Sequence, residues 1–174
     1  MTVNDFDTRI THAIQSWPSW LGLIMATATF VAYPLVLIII ACIAGIGAWK
    51  AEHPRIAVAL TASLAGLGLN TIFKNLLHRA RPDTLYVAGM RIKSYSFPSG
   101  HAFGSIAVYG LFAWLALKYL PQPWNSIVAV LLVALIILVG LSRIYLGAHY
   151  PTDVLGGWIL GGIVLGLIIL IVRP

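Results

Sequence analysis

Long apolar runs separated by short polar breaks set the pattern of this chain. After a polar, mixed leader, apolar stretches occupy residues 21–49, 56–77, 99–119, 124–141 and 152–172. About 20 apolar residues cross a bilayer as a helix, so the last four stretches read as transmembrane helices. The stretch 21–49 is too long for one upright span, too short for two with a turn, and interrupted by Pro34. We expect residues 21–30 to lie at the interface or re-enter, and 33–49 to form the first full span. The expected architecture is all-α: a polytopic membrane helical bundle of five spans, or six if residues 12–31 also cross. Ahead of the spans, residues 4–16 fit a short amphipathic helix. Phe6, Ile10, Ala13 and Ile14 share one face, and Asn4 or Asp5 can cap it. Trp17, Pro18 and Trp20 follow, and tryptophan favours the membrane interface. Residues 1–174 thus read as one membrane-embedded domain, with 1–32 interfacial and 33–172 the helical core.

Composition strengthens this reading. The chain is 60% hydrophobic and only 9% charged, where soluble domains carry about 25% charged residues. It is expected to be integral to the cytoplasmic (inner) membrane. The single cysteine, Cys42, lies in an apolar run, which excludes an internal disulfide and a cysteine redox pair. Eleven Lys and Arg stand against five Asp and Glu. The basic residues flank spans and form no long stripe, which points to anionic lipid and away from nucleic acid. In the last run, Gly157-x3-Gly161 and Gly162-x3-Gly166 have the spacing that lets membrane helices approach closely.

Topology then gathers the polar residues. Consecutive spans alternate direction, so four helix ends share one membrane face. They carry Lys74 and Arg81, then Ser99 to His101, then Ser142 and Arg143, then His149 and Asp153. Ionisable groups near a bilayer are costly, and their convergence from three separate stretches points to a site. Lysine supplies a point charge and arginine a planar fork suited to phosphate oxygens. Phe97-Pro98-Ser99-Gly100-His101 opens a helix whose first N–H groups lack partners within it. Gly100 lets an anion approach those groups, and Ser99 adds a hydroxyl. Lys74, Arg81, Ser99, Gly100 and Arg143 therefore form a candidate phosphate cradle.

Pro151 suits the first turn of a helix, which leaves His149 just outside it and Asp153 within that turn. From there the carboxylate can accept a proton from one ring nitrogen and orient the imidazole. The other nitrogen can attack phosphorus, with His101 protonating the leaving oxygen. Only Asp83 and Asp153 of the five acidic residues lie near this face, too few for a binuclear metal site. We expect no metal and no other cofactor.

These residues resemble a known signature. Lys74-x6-Arg81-Pro82, Pro98-Ser99-Gly100-His101 and Ser142-Arg143-x5-His149-x3-Asp153 are similar, in order and spacing, to the three motifs of the type 2 phosphatidic acid phosphatase superfamily. The resemblance covers residues 74–153. It implies a metal-independent lipid phosphatase with a helical membrane core. It also implies His149 as nucleophile, Asp153 as its partner, His101 as acid, and the cradle residues as phosphate ligands, with Ser142 as a further candidate. Many bacterial relatives have six spans, so this chain looks shortened at its N-terminus. His78 and Arg79, inside the first motif's spacer, are expected to face lipid headgroups, with assistance to a diphosphate as the alternative for Arg79.

The reading that follows is hydrolysis of a lipid phosphate or diphosphate: an isoprenyl diphosphate, phosphatidylglycerophosphate or phosphatidic acid. The alternative class is a phosphate- or lipid-translocating membrane protein without hydrolysis; five spans and the absence of a visible repeat weigh against it. Six Lys and Arg on the site's face against four opposite favour a cytoplasmic site. Removing Lys74, Arg81 and Arg143, which chemistry accounts for, leaves three against four. With the resemblance, this predicts an extracytoplasmic site.

Overall fold

The computed structural model describes residues 3–172, and these are helical nearly throughout. Helix α1 covers Asp5–Gln15, and the Asn4 side chain caps it by accepting from the Asp7 N–H at 2.8 Å. A short 3-10 turn at Ser19–Leu21 leads into α2, Gly22–Val31. Pro34 opens α3, Pro34–Lys50. The segments Ser19–Val31 and Pro34–Lys50 meet at a 52° bend, because a proline permits an N-terminal turn but cannot continue a helix through itself. Helix α4, Pro54–Leu77, ends at His78 in the left-handed region. A short α5, Leu85–Gly89, sits in the polar connection. Helix α6, Gly100–Tyr119, contains a π-turn over Ile106–Gly110. Helices α7, Trp124–Tyr145, and α8, Pro151–Val172, complete the bundle.

Four helices, α4, α6, α7 and α8, are long and apolar enough to span, and the bent α2–α3 pair is a fifth where its two segments count as one broken span. This is an integral membrane protein of several spans, as the hydrophobic pattern predicts. Large apolar side chains such as Leu23, Ile43, Val130 and Ile171 face outward, as lipid-facing helices require. The six-span alternative does not hold. Gln15 donates to the Ile144 carbonyl and Tyr145 donates to the Pro18 carbonyl, while Thr29 meets Ser142. Both ends of residues 12–31 therefore bond to the same end of α7.

Helix α1 is amphipathic and docked, but its buried side is turned from the expected face: Asp7 and Ile14 are buried while Phe6 and Ala13 are exposed. Its Ile14 is buried with Ala102, Ile144 and Val154 from α6, α7 and α8. Leu37, Val108, Tyr109 and Ile136 form a second cluster between α3, α6 and α7. Apolar contact between membrane helices gains little from water exclusion, so close backbone approach matters more. A Cβ on Gly157 would lie 2.6 Å from the Ser99 carbonyl oxygen, and one on Gly161 2.7 Å from that of Phe103. These two glycines let α8 lie directly on the start of α6. Gly162 and Gly166 have open space where a Cβ would go, so the second glycine spacing is not a packing motif here.

Candidate active site

The start of α8 and the loop before it hold the centre of the site. Asp153 is fully buried. Its Oδ2 accepts from Ser96 Oγ at 2.5 Å and from the Tyr150 N–H at 2.8 Å. His149 Nδ1 lies 3.5 Å from the same oxygen and 3.4 Å from Ser96 Oγ. On the other side of the ring, Nε2 is 3.1 Å from Arg81 Nη1. A guanidinium can only donate, so Nε2 must be the accepting nitrogen. The proton of the neutral ring therefore sits on Nδ1, facing Asp153 and Ser96. Burial pushes the His149 pKa down to about 3, and Arg81, Arg143 and Lys74 add to this, against the opposing bond with Asp153. The pair is a neutral imidazole N–H beside a carboxylate, with a lone pair aimed at cations.

The cations are fixed by carbonyls and hydroxyls. Arg81 donates from Nε and Nη2 to Ser94 and from Nη1 to the Ala148 carbonyl. Burial and the neighbouring Arg143 lower its pKa to about 10, which leaves it charged at neutral pH. Lys74 donates to the Tyr95 and Ser96 carbonyls at 2.7 and 3.3 Å. Arg143 is buried and donates to Thr29 Oγ1 at 3.0 Å and to Tyr86 Oη at 3.4 Å. Ser142 donates to the Val139 carbonyl and meets Thr29 Oγ1 at 2.7 Å. Its hydroxyl thus serves the Thr29–Arg143 contact.

Ser99 caps α6 by accepting from the Ala102 N–H, and its own N–H donates to the Asp153 carbonyl at 2.9 Å. The Asp153 backbone thereby ties the start of α6 to the start of α8. Gly100 leaves room at the Asn70 amide, whose Oδ1 would be 3.3 Å from a Cβ there. His101 lies next in α6, its ring 6.2 Å from that of Tyr33 and electrostatically coupled to Arg143, His149, Arg81 and Lys74. Asn70 Nδ2, His101 Nε2 and Arg143 Nε are buried without a hydrogen-bond partner among the described residues. Every sequence-derived candidate therefore lies at this one end of the bundle.

The segment 55–174 matches the model of the PAP2 superfamily. The chain belongs to that superfamily. The PAP2 match begins at the start of α4, so it contains every cradle residue and leaves α1, α2 and α3 outside. Among relatives, phosphatidylglycerophosphatase B of Bacillus subtilis (strain 168) is 40% identical over 95 residues, 53% of this chain and 46% of that protein. A lipid A 1-phosphatase of Rhizobium etli is 34% identical over 110 residues, 59% of this chain and 43% of that one. The matched stretches thus span less than half the length of these curated relatives. Among solved structures, a transmembrane PAP2 type phosphatidylglycerolphosphate phosphatase from Bacillus subtilis superposes with a TM-score of 0.81 at 31% identity. That superposition covers 93% of this chain and 82% of that one.

Four participants escaped the sequence reading: Arg79, Asp7, Ser96 and Thr29. Arg79 corrects an expectation. It does not face headgroups: it is buried, donates to Asp153 Oδ1 at 2.5 Å, and meets Asp7 Oδ2 at 2.5 Å. Burial works against its charge, but the two carboxylates outweigh this and raise its pKa. His78 stacks edge-on against Tyr95, 4.5 Å between ring centres. Asp7, on the buried side of α1, shares a stripe with Ile10 and Ile14 at helical spacing. A carboxylate on an apolar stripe was the available signal.

Proposed function

We propose that this PAP2 protein hydrolyses a lipid phosphate or diphosphate, without a metal, through a phosphohistidine formed at His149. One observation carries the reading: His149 Nε2 accepts from Arg81 beside two further cations, while Nδ1 faces Asp153. Lys74, Arg81, Arg143, Ser99 and the Gly100 amide bind the phosphoryl oxygens, with Ser142 acting through Thr29. Their charge does the neutralising work that a metal ion does elsewhere. Nε2 attacks phosphorus in line, the bond from phosphorus to the leaving oxygen breaks, and His101 gives that oxygen its proton. The new imidazolium keeps its Nδ1–H on Asp153, which stabilises the positive ring. Water then attacks the phosphohistidine, His101 takes its proton, and His149 is regenerated with release of phosphate.

The lipid part of the reading rests on a site at the end of a spanning bundle. Phosphatidylglycerophosphate is the first substrate to test, because the Bacillus subtilis relatives carry that activity in their names. Residues outside the family match bond to the site, so the whole chain acts as one domain. The site is proposed to face outward from the cytoplasm; impermeant thiol labelling of a Tyr86→Cys chain but not a Trp124→Cys chain, in a Cys42→Ser background, supports that, and the reverse overturns it.

The decisive experiment is phosphate release by the purified protein in EDTA, from a panel of lipid phosphates. Turnover should survive chelation, disappear in His149→Ala, and yield an acid-labile phosphoryl group on His149 after rapid quench. Full turnover by a folded His149→Ala protein would remove the mechanism.

A further inference from the structure

We propose that Arg79, held by Asp7 of α1, is a positioning residue for the His149–Asp153 pair, which makes the N-terminal helix a working part of the site. The proposal rests on the reading of His149 as nucleophile and adds residues at positions that none of the three motifs specifies.

A carboxylate beside a histidine is useful only if one oxygen keeps facing the ring. The terminal torsion of an aspartate is soft and nearly two-fold, so something must hold it. Asp153 Oδ2 faces His149 Nδ1 and takes Ser96 and the Tyr150 N–H. Oδ1 is held from behind by Arg79 Nη1 at 2.5 Å. With that oxygen fixed, rotation that would withdraw Oδ2 from the imidazole breaks a charge-assisted bond.

Arg79 is itself over-determined. Its fork is split between two carboxylates, Nη1 to Asp153 and Nη2 to Asp7. Nη1 also donates to Thr152 Oγ1 at 2.7 Å. Its guanidinium carbon lies 4.8 Å from the centre of the Tyr150 ring. Asp7 in turn accepts from the Thr152 N–H at 2.9 Å and from its hydroxyl at 2.8 Å. A ring therefore closes from α1 to the loop after α4, to the first turn of α8, and back to α1. Both carboxylates are fully buried and Arg79 is 3% exposed. A lysine could keep the charge but could not reach both carboxylates in this fixed geometry.

Sequence separation argues against a local stabilising role alone. Nothing in α1 needs Arg79 for its own helix, since Asn4 already caps it. The buried carboxylate is placed to serve α8 and Arg79, and through them Asp153.

The test compares wild type, Arg79→Ala, Arg79→Lys and Asp7→Asn in detergent, each checked for size and thermal unfolding, against a short-chain lipid phosphate. Arg79→Ala should lose about 10–100-fold in kcat, by analogy with the outer partners that orient the ligands of a metal. KM should stay near wild type, because the cradle is untouched. Phosphoryl-His149 should form more slowly by the same factor, and millimolar guanidinium should restore much of the rate where sodium does not. Asp7→Asn and Arg79→Lys should fall between. If Arg79→Ala does not fold, Asp7→Asn and Arg79→Lys carry the kcat-against-KM comparison. A folded Arg79→Ala protein with wild-type kcat overturns the proposal. So does a loss that follows unfolding and ignores guanidinium, or, where Arg79→Ala does not fold, wild-type kcat in the two milder variants. His149→Ala separates the two readings: if it is inactive while Arg79→Ala is normal, only the positioning role fails.

Discussion

Lys74 and Lys118 each stand in the last turn of a membrane helix, at opposite ends of the bundle. Lys74 is drawn inward and donates to the Tyr95 and Ser96 carbonyls. Lys118 is exposed and lies over Trp114 and Tyr119, 5.0 and 5.3 Å from their ring centres. Histidines divide in the same way: His101 points into the cation cluster, while His53 is exposed. At the second end, Glu52, His53, Arg55, Trp114 and Lys118 line a cavity of about 290 Å³, with no ion pair there among the described residues. Charge near a bilayer therefore has two meanings. At one end it is held by backbone acceptors and tuned; at the other it extends to the headgroup level from an aromatic belt.

The sharpest way to break this contrast is to exchange the histidines for asparagine. His101→Asn should cost about 10²–10⁴-fold in kcat with an alkyl phosphate, and much less with a nitrophenyl leaving group. His53→Asn should change neither. An equal loss with both leaving groups would remove His101 as the acid. Next comes the lysine pair. Lys74→Met should lower kcat/KM by about 10²–10³-fold, as loss of one preorganised donor does. A loss under tenfold would show that the arginines suffice.

The third outcome concerns stability against pH. His149 has its pKa lowered in the fold to about 3, from about 6.5 when unfolded. The folded chain refuses a proton that the unfolded chain accepts. This contribution is thus complete above about pH 6.5 and declines as pH falls towards 3, by about 1.4 kcal/mol per unit. Thermal unfolding at pH 7.5 and pH 5 should show a larger acid loss in wild type than in His149→Gln. Parallel losses would mean that other groups govern it. The smallest effect is expected at the far end: Lys118→Met should stay within about twofold in activity, as surface changes away from a built site do.

Much of the site could be read from the sequence because its signals are local or topological. Pro151 fixed the start of α8 and hence the places of His149 and Asp153. Alternation of spans brought Lys74, Arg81, Ser99 and Arg143 to one end. The bend at Pro34 was equally visible. Asp7 and Arg79 were not, because each lies in a stretch whose nearest neighbours explain it well enough: an amphipathic helix and a motif spacer. Their partnership exists only after α1 docks, across 72 positions of chain. Ser96 shows another limit. A serine in a polar loop carries no periodic signal, and only the fold shows its hydroxyl against both Asp153 and His149. Ser142 was read as a further candidate phosphate ligand, and its contact with α2 through Thr29 was not foreseen.

The bond from the Thr152 N–H to Asp7 joins positions 145 residues apart. A ribosome adds roughly 5–20 residues each second, so Asp7 emerges on the order of ten seconds before its partner exists. Throughout that interval the first helix has no Arg79–Thr152 ring to close, and Arg81 has no His149 ring beside it. The ring around Asp7 can close only after the start of the last helix has been made, so a chain ended before position 149 carries Arg79 and Arg81 without the His149–Asp153 pair they bond to.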